Sequence, residues 1–330
     1  MFSSSWLDIP PKSHFSLRNL PFGVFSDAKN ESKRIGVPIG SSVLDLKAFA
    51  TGNGFVKLPE IESHVEVFSR DTLNDFAALG QQKHRLVRHY LQKVFADDSN
   101  SEFASLLKEN SQLRVSALLP LSEVTTHLPM RIGDYTDFFA GLRHAFTVGS
   151  LFRGPANALQ PNYTHIPVGY HGRSSSVVVS GTSLRRPKGQ ILPPGAKDPV
   201  FTPCKRLDIE LEFAAFVCKE NQLGSPIPVD KAKEYIFGYV LMNDWSARDI
   251  QTWEYVPLGP FTAKNFGTTI SPWVVLADAL EPFATTGIPN ETSLQAYLRE
   301  TKKDNVFDVS LEVTLKSEKI RGPNSTQWKY

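Results

Sequence analysis

Alternating apolar and polar residues predict a long strand near the end of the chain. In residues 307–316, apolar side chains take every odd position and polar ones every even position. A period of two is typical of a β-strand. We therefore expect a strand over this segment with one buried face.

A second alternating stretch, residues 207–213, carries acidic residues on one face. Asp208, Glu210 and Glu212 alternate there with apolar residues, so the three carboxylates share a strand face. In an isolated strand this pattern is typical of a solvated outer face. The apolar run 214–217 instead favours a central strand whose acidic face lines a cavity. Like charges held there would need a cation to offset their repulsion.

The first third of the chain predicts a small unit of strands and a helix. Apolar residues on both sides of segment 38–42 predict a strand, a turn and a second strand. Thr72 and Asp75 have the spacing of a capping box and predict the start of a helix, with apolar residues recurring on one face up to Val94. We expect its basic face to be solvated. That face carries Lys83, Arg85, Arg88 and Lys93.

The pattern of residues along the chain changes around Pro120 and Pro129, and we place a domain boundary near residue 128. Beyond it, short strands and long loops with glycine and proline dominate. The sequence thus predicts an α+β, strand-rich protein with domains at 1–128 and 129–330.

Composition narrows the function classes. The 330 residues include 36 Lys and Arg against 34 Asp and Glu. A net charge of only +2 argues against a protein that binds nucleic acid or an anionic membrane. Two cysteines, Cys204 and Cys218, are too few for a disulfide framework and too far apart for a zinc pair. The start of the sequence lacks the pattern of a signal peptide, and no apolar run approaches the roughly 18 residues that span a bilayer. We expect a cytoplasmic protein.

Further acids and a histidine complete the candidate chemistry. Asp244 follows the apolar strand-like run 239–242, at the kind of strand end where sites are commonly built. Asp137 and His144 are seven residues apart, which would place both on one face of a helix. A lone histidine is more often structural, but beside carboxylates and a metal it is a general-base candidate. Oxygen ligands alone suit Mg²⁺ or Ca²⁺ rather than Zn²⁺.

Six motifs together carry a close resemblance to a known family. They are IGDYTD at 132–137, PVGYHGRSSSVVVSG at 167–181, LDIELE at 207–212, LMNDWSARDIQ at 241–251, WEYVPLGP at 253–260 and NFGTTISPW at 265–273. In this order they resemble the fumarylacetoacetase family over nearly the whole chain. The resemblance implies a homodimer, an SH3-like N-terminal β domain and a larger mixed β-roll domain that holds the active site.

The resemblance also implies roles for individual residues. His144 matches the general base of the family. Its four carboxylate ligands to Ca²⁺ or Mg²⁺ correspond to Asp137, Glu210, Glu212 and Asp244. Its substrate contacts correspond to Arg153, Tyr170, Arg248, Gln251, Tyr255 and Lys264. Lys264 and Thr268 also match the place of a second, structural Mg²⁺.

The implied reaction is hydrolysis of a carbon–carbon bond in 4-fumarylacetoacetate, which gives fumarate and acetoacetate and ends tyrosine and phenylalanine breakdown. The expected partner is therefore a small-molecule substrate, with no nucleic acid and no membrane. One alternative is a related acylpyruvate hydrolase or β-keto acid decarboxylase. The other is an inactive form that only binds or dimerises.

Two departures from the family pattern affect what we expect. Phe139 stands where some members have a substrate-contacting tyrosine, a loss of one hydrogen bond worth about 0.5–1.5 kcal/mol that should be tolerable. Family members also continue past the position of Tyr330, with a glutamate that orients the histidine and a threonine that contacts substrate. The 330 residues hold neither, so we expect a shortened form whose turnover is slowed by up to about 10²–10⁴-fold.

Overall fold

The computed structural model describes residues 4–98, 102–316 and 327–329. In the first part, five strands enclose a helical segment. The strands are β1 (Phe22–Asp27), β2 (Asn30–Ile39), β3 (Ser42–Asp45), β4 (Leu118–Pro120) and β5 (Val124–His127). The helices are α1 (Leu46–Thr51), α2 (Pro59–Glu62), α3 (Asn74–Ala78), α4 (Gln81–Phe95) and α5 (Ser111–Ala117).

The rest of the described chain is built mainly from short strands. The strands are β6 (Thr136–Phe138), β7 (Gly169–His171), β8 (Val177–Val179), β9 (Lys188–Ile191), β10 (Val200–Pro203), β11 (Leu207–Asp208), β12 (Leu211–Val217), β13 (Ile236–Asp244), β14 (Ser246–Ala247), β15 (Thr268–Ile270), β16 (Trp273–Leu276), β17 (Ala284–Thr285), β18 (Val306–Phe307), β19 (Glu312–Thr314) and β20 (Gln327–Lys329). The helices are α6 (Leu142–Arg153), α7 (Arg248–Glu254) and α8 (Ala277–Leu280).

One ten-stranded sheet joins the two parts. Its main path is β4-β3-β2-β1-β16-β13-β15-β8, with β5 added to β1 and β12 added to β13. The β15–β8 ladder is parallel and the other ladders described in this sheet are antiparallel. The connection between the parts is the β1–β16 ladder, where Phe22 lies opposite Val274. The predicted fold class, α+β and strand-rich, is confirmed.

A single hydrophobic core extends across this junction. The ring of Phe76 from α3 stacks on Phe22 at 5.1 Å between centroids and meets the edge of Phe237 from β13 at 5.8 Å. All three side chains are fully buried. The domain boundary near residue 128 stays a prediction. No helix in the described ranges is both long and apolar enough to cross a bilayer.

The predicted β2 and β3 strands are confirmed, but the predicted helix start is wrong. Gly40 makes the turn between the strands with a φ of 57°. Thr72 and Asp75 do not open the long helix, because that helix, α4, begins only at Gln81 after Gly80. Gly80 has a φ of 85°, a left-handed conformation that interrupts a right-handed helix and separates α3 from α4.

The basic face of α4 is not uniformly solvated, contrary to the sequence prediction. Arg88 is buried, where its Nε donates to Asp278 Oδ2 at 2.9 Å and its Nη1 donates to the Arg18 carbonyl at 2.7 Å. Arg85 pairs with Glu281. These cations therefore tie α4 to the segment that follows β16.

Two strand predictions also need correction. Residues 307–316 form no continuous strand, since β18 pairs with β17 and β19 pairs with β20. Within the described residues no single partner strand runs along this segment. Val309 and Leu315 remain 36% and 44% exposed, so the predicted continuous buried face is not formed. β12 is not central either: within the described residues its ladder partner is β13 alone. Phe213 is covered instead by stacking on Tyr239 at 4.7 Å.

A buried histidine in α4 makes stability depend on pH. His84 Nε2–H donates to the carbonyls of Phe76 and Ala77 at 3.0 and 2.9 Å, and Nδ1 has no hydrogen-bond partner among the described residues. Burial, opposed in part by these carbonyls, lowers the pKa of His84 from 6.5 to about 4. Between these values the unfolded chain binds a proton here that the folded chain does not.

We expect the free energy of unfolding to fall as pH decreases from about 6.5 towards about 4, by up to about 3 kcal/mol from His84. Chemical denaturation at several pH values measures it. His84→Gln keeps an N–H donor without titrating and should flatten this dependence, whereas His14→Gln, at an exposed position, should not. Equal pH dependence in wild type and His84→Gln would contradict the assignment.

Candidate active site

The register of three strands gathers acidic residues at one end of β13. Glu212 on β12 lies opposite Met242, so it shares a face with Asp244, two residues further along β13. Such diagonal neighbours lie about 7–8 Å apart, within reach of long side chains. On the other side of β13, Thr268 of β15 lies opposite Asp244.

A small two-stranded ribbon adds groups from the preceding motifs. In the β6–β7 ladder Asp137 lies opposite Tyr170. The Tyr170 hydroxyl donates to Asp244 Oδ2 at 3.1 Å. Asp137 reaches the site from a strand and His144 from α6, so the predicted arrangement of both on one helix face is wrong. The residues between them include Gly141, after which the helix begins.

Three of the four predicted metal ligands come together. Asp137, Glu212 and Asp244 each offer a carboxylate oxygen, and these atoms lie within 4.8 Å of one another. Among the described residues, this is the group found with spacing suited to a metal ion, and it does not include Glu210.

Cationic side chains surround Glu210 instead. Arg248 Nη2 lies 2.7 Å and His144 Nε2 lies 3.3 Å from its Oε1. Lys264 Nζ donates to Glu210 Oε2 and also to Asp244 Oδ2, and all three of these residues are buried. His144 and Arg248 are partly exposed. Lys264 therefore links Glu210 to the three-carboxylate cluster.

The pKa values of Glu212, in β12, and Glu210, just before it, are shifted in opposite directions. Burial raises the pKa of Glu212 to about 9, and the neighbouring charges of Asp137, Asp244 and Glu210 add to that effect. Burial also acts on Glu210, but His144, Lys264 and Arg248 outweigh it and hold the pKa of Glu210 well below its usual value. Burial raises the pKa of Asp244 to about 7 despite the Lys264 ammonium.

This cluster fits a hard divalent cation. Four carboxylates face two permanent cations, Lys264 and Arg248, which leaves two negative charges without a partner charge when all four are ionised. Asp244 Oδ1 is buried and has no hydrogen-bond partner within the described residues. A donor set of carboxylate oxygens is what Mg²⁺ and Ca²⁺ prefer.

The remaining predicted residues have partners of their own. Gln251 Oε1 accepts from Arg248 Nη1 at 3.1 Å. Arg153, the last residue of α6, donates from Nε and Nη2 to the carbonyls of Asn157 and Ala158 at 3.0 and 2.6 Å. Tyr255 packs against Phe152 at 5.8 Å between centroids. Gln251 is therefore connected to Glu210 through Arg248. The contacts described for Arg153 and Tyr255 do not involve Glu210 or its partners.

Two family models match the chain. One, described as fumarylacetoacetase N-terminal, covers residues 18–129, and the other, described as fumarylacetoacetate hydrolase C-terminal, covers residues 135–327. The fumarylacetoacetase of Aspergillus fumigatus is 62% identical over 317 residues, which cover 94% of this chain and 73% of that protein. Those of Rattus norvegicus and Homo sapiens are 50% and 49% identical, each covering 95% of this chain and 73% of their own length.

The chain belongs to the fumarylacetoacetase family.

Two residues of this fumarylacetoacetase-family site were not singled out from the sequence. Tyr135 places its hydroxyl 3.3 Å from Thr268 Oγ1, and its ring occupies the space where a side chain on Gly172 would lie. Asn243 Oδ1 accepts the Glu210 backbone N–H at 3.2 Å. Asn243 is adjacent to Asp244, and Tyr135 lies two residues before Asp137. Their position inside the quoted motifs was the available signal.

We expect Mg²⁺ or Ca²⁺ to stabilise this family member, because the ion offsets charge repulsion in the folded state. At 100 times the dissociation constant the gain should be about 2.7 kcal/mol. A thermal melt at constant ionic strength measures it. Glu212→Gln should lose most of the shift, while Glu220→Gln, at an exposed position beyond β12, should keep it. An unchanged melting temperature in wild type would contradict the site.

Removing the buried ammonium should be costly without a divalent ion. Lys264→Met leaves Glu210 and Asp244 without their shared cation, a change that typically destabilises by about 3–5 kcal/mol. Urea denaturation measures the loss. Lys231→Met breaks an exposed pair with Glu234 and should change stability little. Similar losses in both variants would show that Lys264 does not compensate buried charge.

Proposed function

We propose that this chain hydrolyses the carbon–carbon bond of 4-fumarylacetoacetate to give fumarate and acetoacetate. The observation that carries the proposal is one cluster in which four carboxylates, two cations and a histidine meet. Relatives named fumarylacetoacetase, 49–62% identical over nearly the whole chain, support the choice of substrate.

Asp137, Glu212 and Asp244 would hold a Mg²⁺ or Ca²⁺ ion, with Glu210 as the predicted fourth ligand. When bound, such an ion polarises the oxygens of a β-diketone and stabilises negative charge on them. The chain's own contribution is to hold these acids together through Lys264 and through the Tyr170 hydroxyl bond to Asp244. The second Mg²⁺ at Lys264 and Thr268 stays a prediction.

His144 is the proposed general base. Its Nε2 lies 3.3 Å from Glu210 Oε1, a placement that favours the tautomer with the proton on Nε2 and leaves the lone pair of Nδ1 to accept a proton from water. The water oxygen then forms a bond to the carbonyl carbon, the adjacent carbon–carbon bond breaks, and the departing enolate carbon takes up a proton. The edge of Phe139 packs against the His144 ring at 5.4 Å and limits its rotation.

Arg248, Gln251 and Lys264 are proposed to stabilise the oxyanion that forms during the attack. Arg248 Nη1 engages Gln251 Oε1, which leaves the amide N–H₂ of Gln251 as the group available to substrate. Each such donor typically contributes about 2.7–4 kcal/mol to the transition state. Arg153, Tyr170 and Tyr255 remain proposed substrate contacts. The domain limits 1–128 and 129–330, the homodimer and the cytoplasmic location also stay predictions.

We expect the purified chain, supplied with Mg²⁺ or Ca²⁺, to remove the absorbance of fumarylacetoacetate. Because Glu210 contacts His144 and can orient it in place of the family's glutamate, His144→Ala should still lower kcat, by up to about 10²–10⁴-fold, through loss of the base. His165→Ala, at an exposed position, should have no such effect. Equal rates for wild type and His144→Ala would exclude His144 as the base, and no consumption of substrate by wild type would refute the proposed reaction.

A further inference from the structure

Glu254 organises a turn that the proposed chemistry does not explain. It is the last residue of α7, and its carboxylate accepts four hydrogen bonds from residues 261–263. Oε1 accepts the backbone N–H groups of Phe261 and Ala263 at 2.9 and 2.7 Å. Oε2 accepts the backbone N–H of Thr262 at 3.1 Å and also its hydroxyl.

This turn leads directly into Lys264. The Phe261 carbonyl accepts the N–H groups of Lys264 and Asn265 at 3.1 and 2.9 Å, and the Ala263 carbonyl accepts the N–H of Ala247 at 2.9 Å. A lysine ammonium is a point charge on a flexible stem of four carbons, so its position depends on where its backbone is held. Fixing the turn therefore fixes the origin of the Lys264 side chain.

The two ends of α7 act on the same carboxylate. Arg248, the first residue of the helix, places Nη2 2.7 Å from Glu210 Oε1. Glu254, the last residue, holds the turn from which Lys264 reaches Glu210 Oε2. The seven-residue helix α7 thus fixes the positions of both cations that contact Glu210, Arg248 directly and Lys264 through the turn.

We propose that Glu254 is a positioning residue of the active site, acting through the 261–263 turn to seat the Lys264 ammonium between Glu210 and Asp244. Its role in catalysis rests on the function proposed above. A carboxylate is needed because all four partners are donors and a carboxylate only accepts. In Glu254→Gln one oxygen becomes an N–H₂ group, which faces donors that it cannot satisfy.

The first test does not depend on catalysis. Trace labelling of lysine amines with acetic anhydride, read by peptide mass spectrometry, reports how often the buried Lys264 becomes accessible. We expect Glu254→Gln to speed labelling of Lys264 about tenfold or more without changing that of Lys231. Glu234→Gln is the matched control, because Glu234 is exposed and pairs with Lys231 at 3.1 Å. It should leave labelling of Lys264 unchanged.

A second variant covers the case in which Glu254→Gln does not fold. Thr262→Val removes only the hydroxyl contact to Glu254 Oε2 and keeps the shape of the side chain. It should speed Lys264 labelling by less than Glu254→Gln does, but measurably. Wild-type labelling of Lys264 in a folded Glu254→Gln chain, or in Thr262→Val where the former does not fold, would overturn the proposal.

The second test is a double-mutant cycle on kcat with Glu254→Gln, Lys264→Met and both together. If Glu254 acts through Lys264, the double variant should be no slower than Lys264→Met alone. Effects that multiply would assign Glu254 a separate structural role and overturn the proposal. If wild type does not hydrolyse fumarylacetoacetate, the proposed function fails, and the labelling test still decides the positioning of Lys264.

Discussion

Repulsion among carboxylates at the end of β13 is the constraint on which the site depends. Buried like charges are tolerated only when an opposite charge lies close by. Lys264 supplies one by bridging Glu210 and Asp244, and Arg248 supplies the second on the other oxygen of Glu210. These two cations leave Asp137 and Glu212 without a fixed counter-charge. These two uncompensated carboxylates would bind a divalent cation.

The same constraint explains why two glutamates so near in sequence behave differently. Glu210 is ionised because three cationic or donating side chains touch it, and so it can accept the N–H of His144. Glu212 has carboxylates for neighbours and holds a proton more tightly. Environment, rather than residue type, thus separates an acid whose charge is compensated by basic side chains from one that has no such partner and could take a divalent cation.

Local patterns predicted the parts of this site that lie within single strands. The period of two in residues 207–213 marked Glu212, which lies in β12, and the strand-end position marked Asp244. Glu210 lies between β11 and β12, so the predicted continuous strand is not formed there. The break between β11 and β12, which turns Glu210 towards its cations, has no local signal, because Lys264 is 54 residues away in sequence. Local patterns also failed where pairing partners decide the outcome, as in residues 307–316 and in β12.

A strand that carries buried charge at one end must be stabilised elsewhere, and in β13 the apolar first half supplies that stabilisation. Its first half places Phe237 and Val240 in the core shared by both parts of the chain, where Phe237 meets the rings of Phe76 and His84. Each large apolar side chain buried there contributes about 1.5–3 kcal/mol. One uncompensated buried charge costs about 3–5 kcal/mol. A few apolar contacts at one end of β13 can therefore offset an unpaired charge at the other, so the site can tolerate the charge that a cation requires.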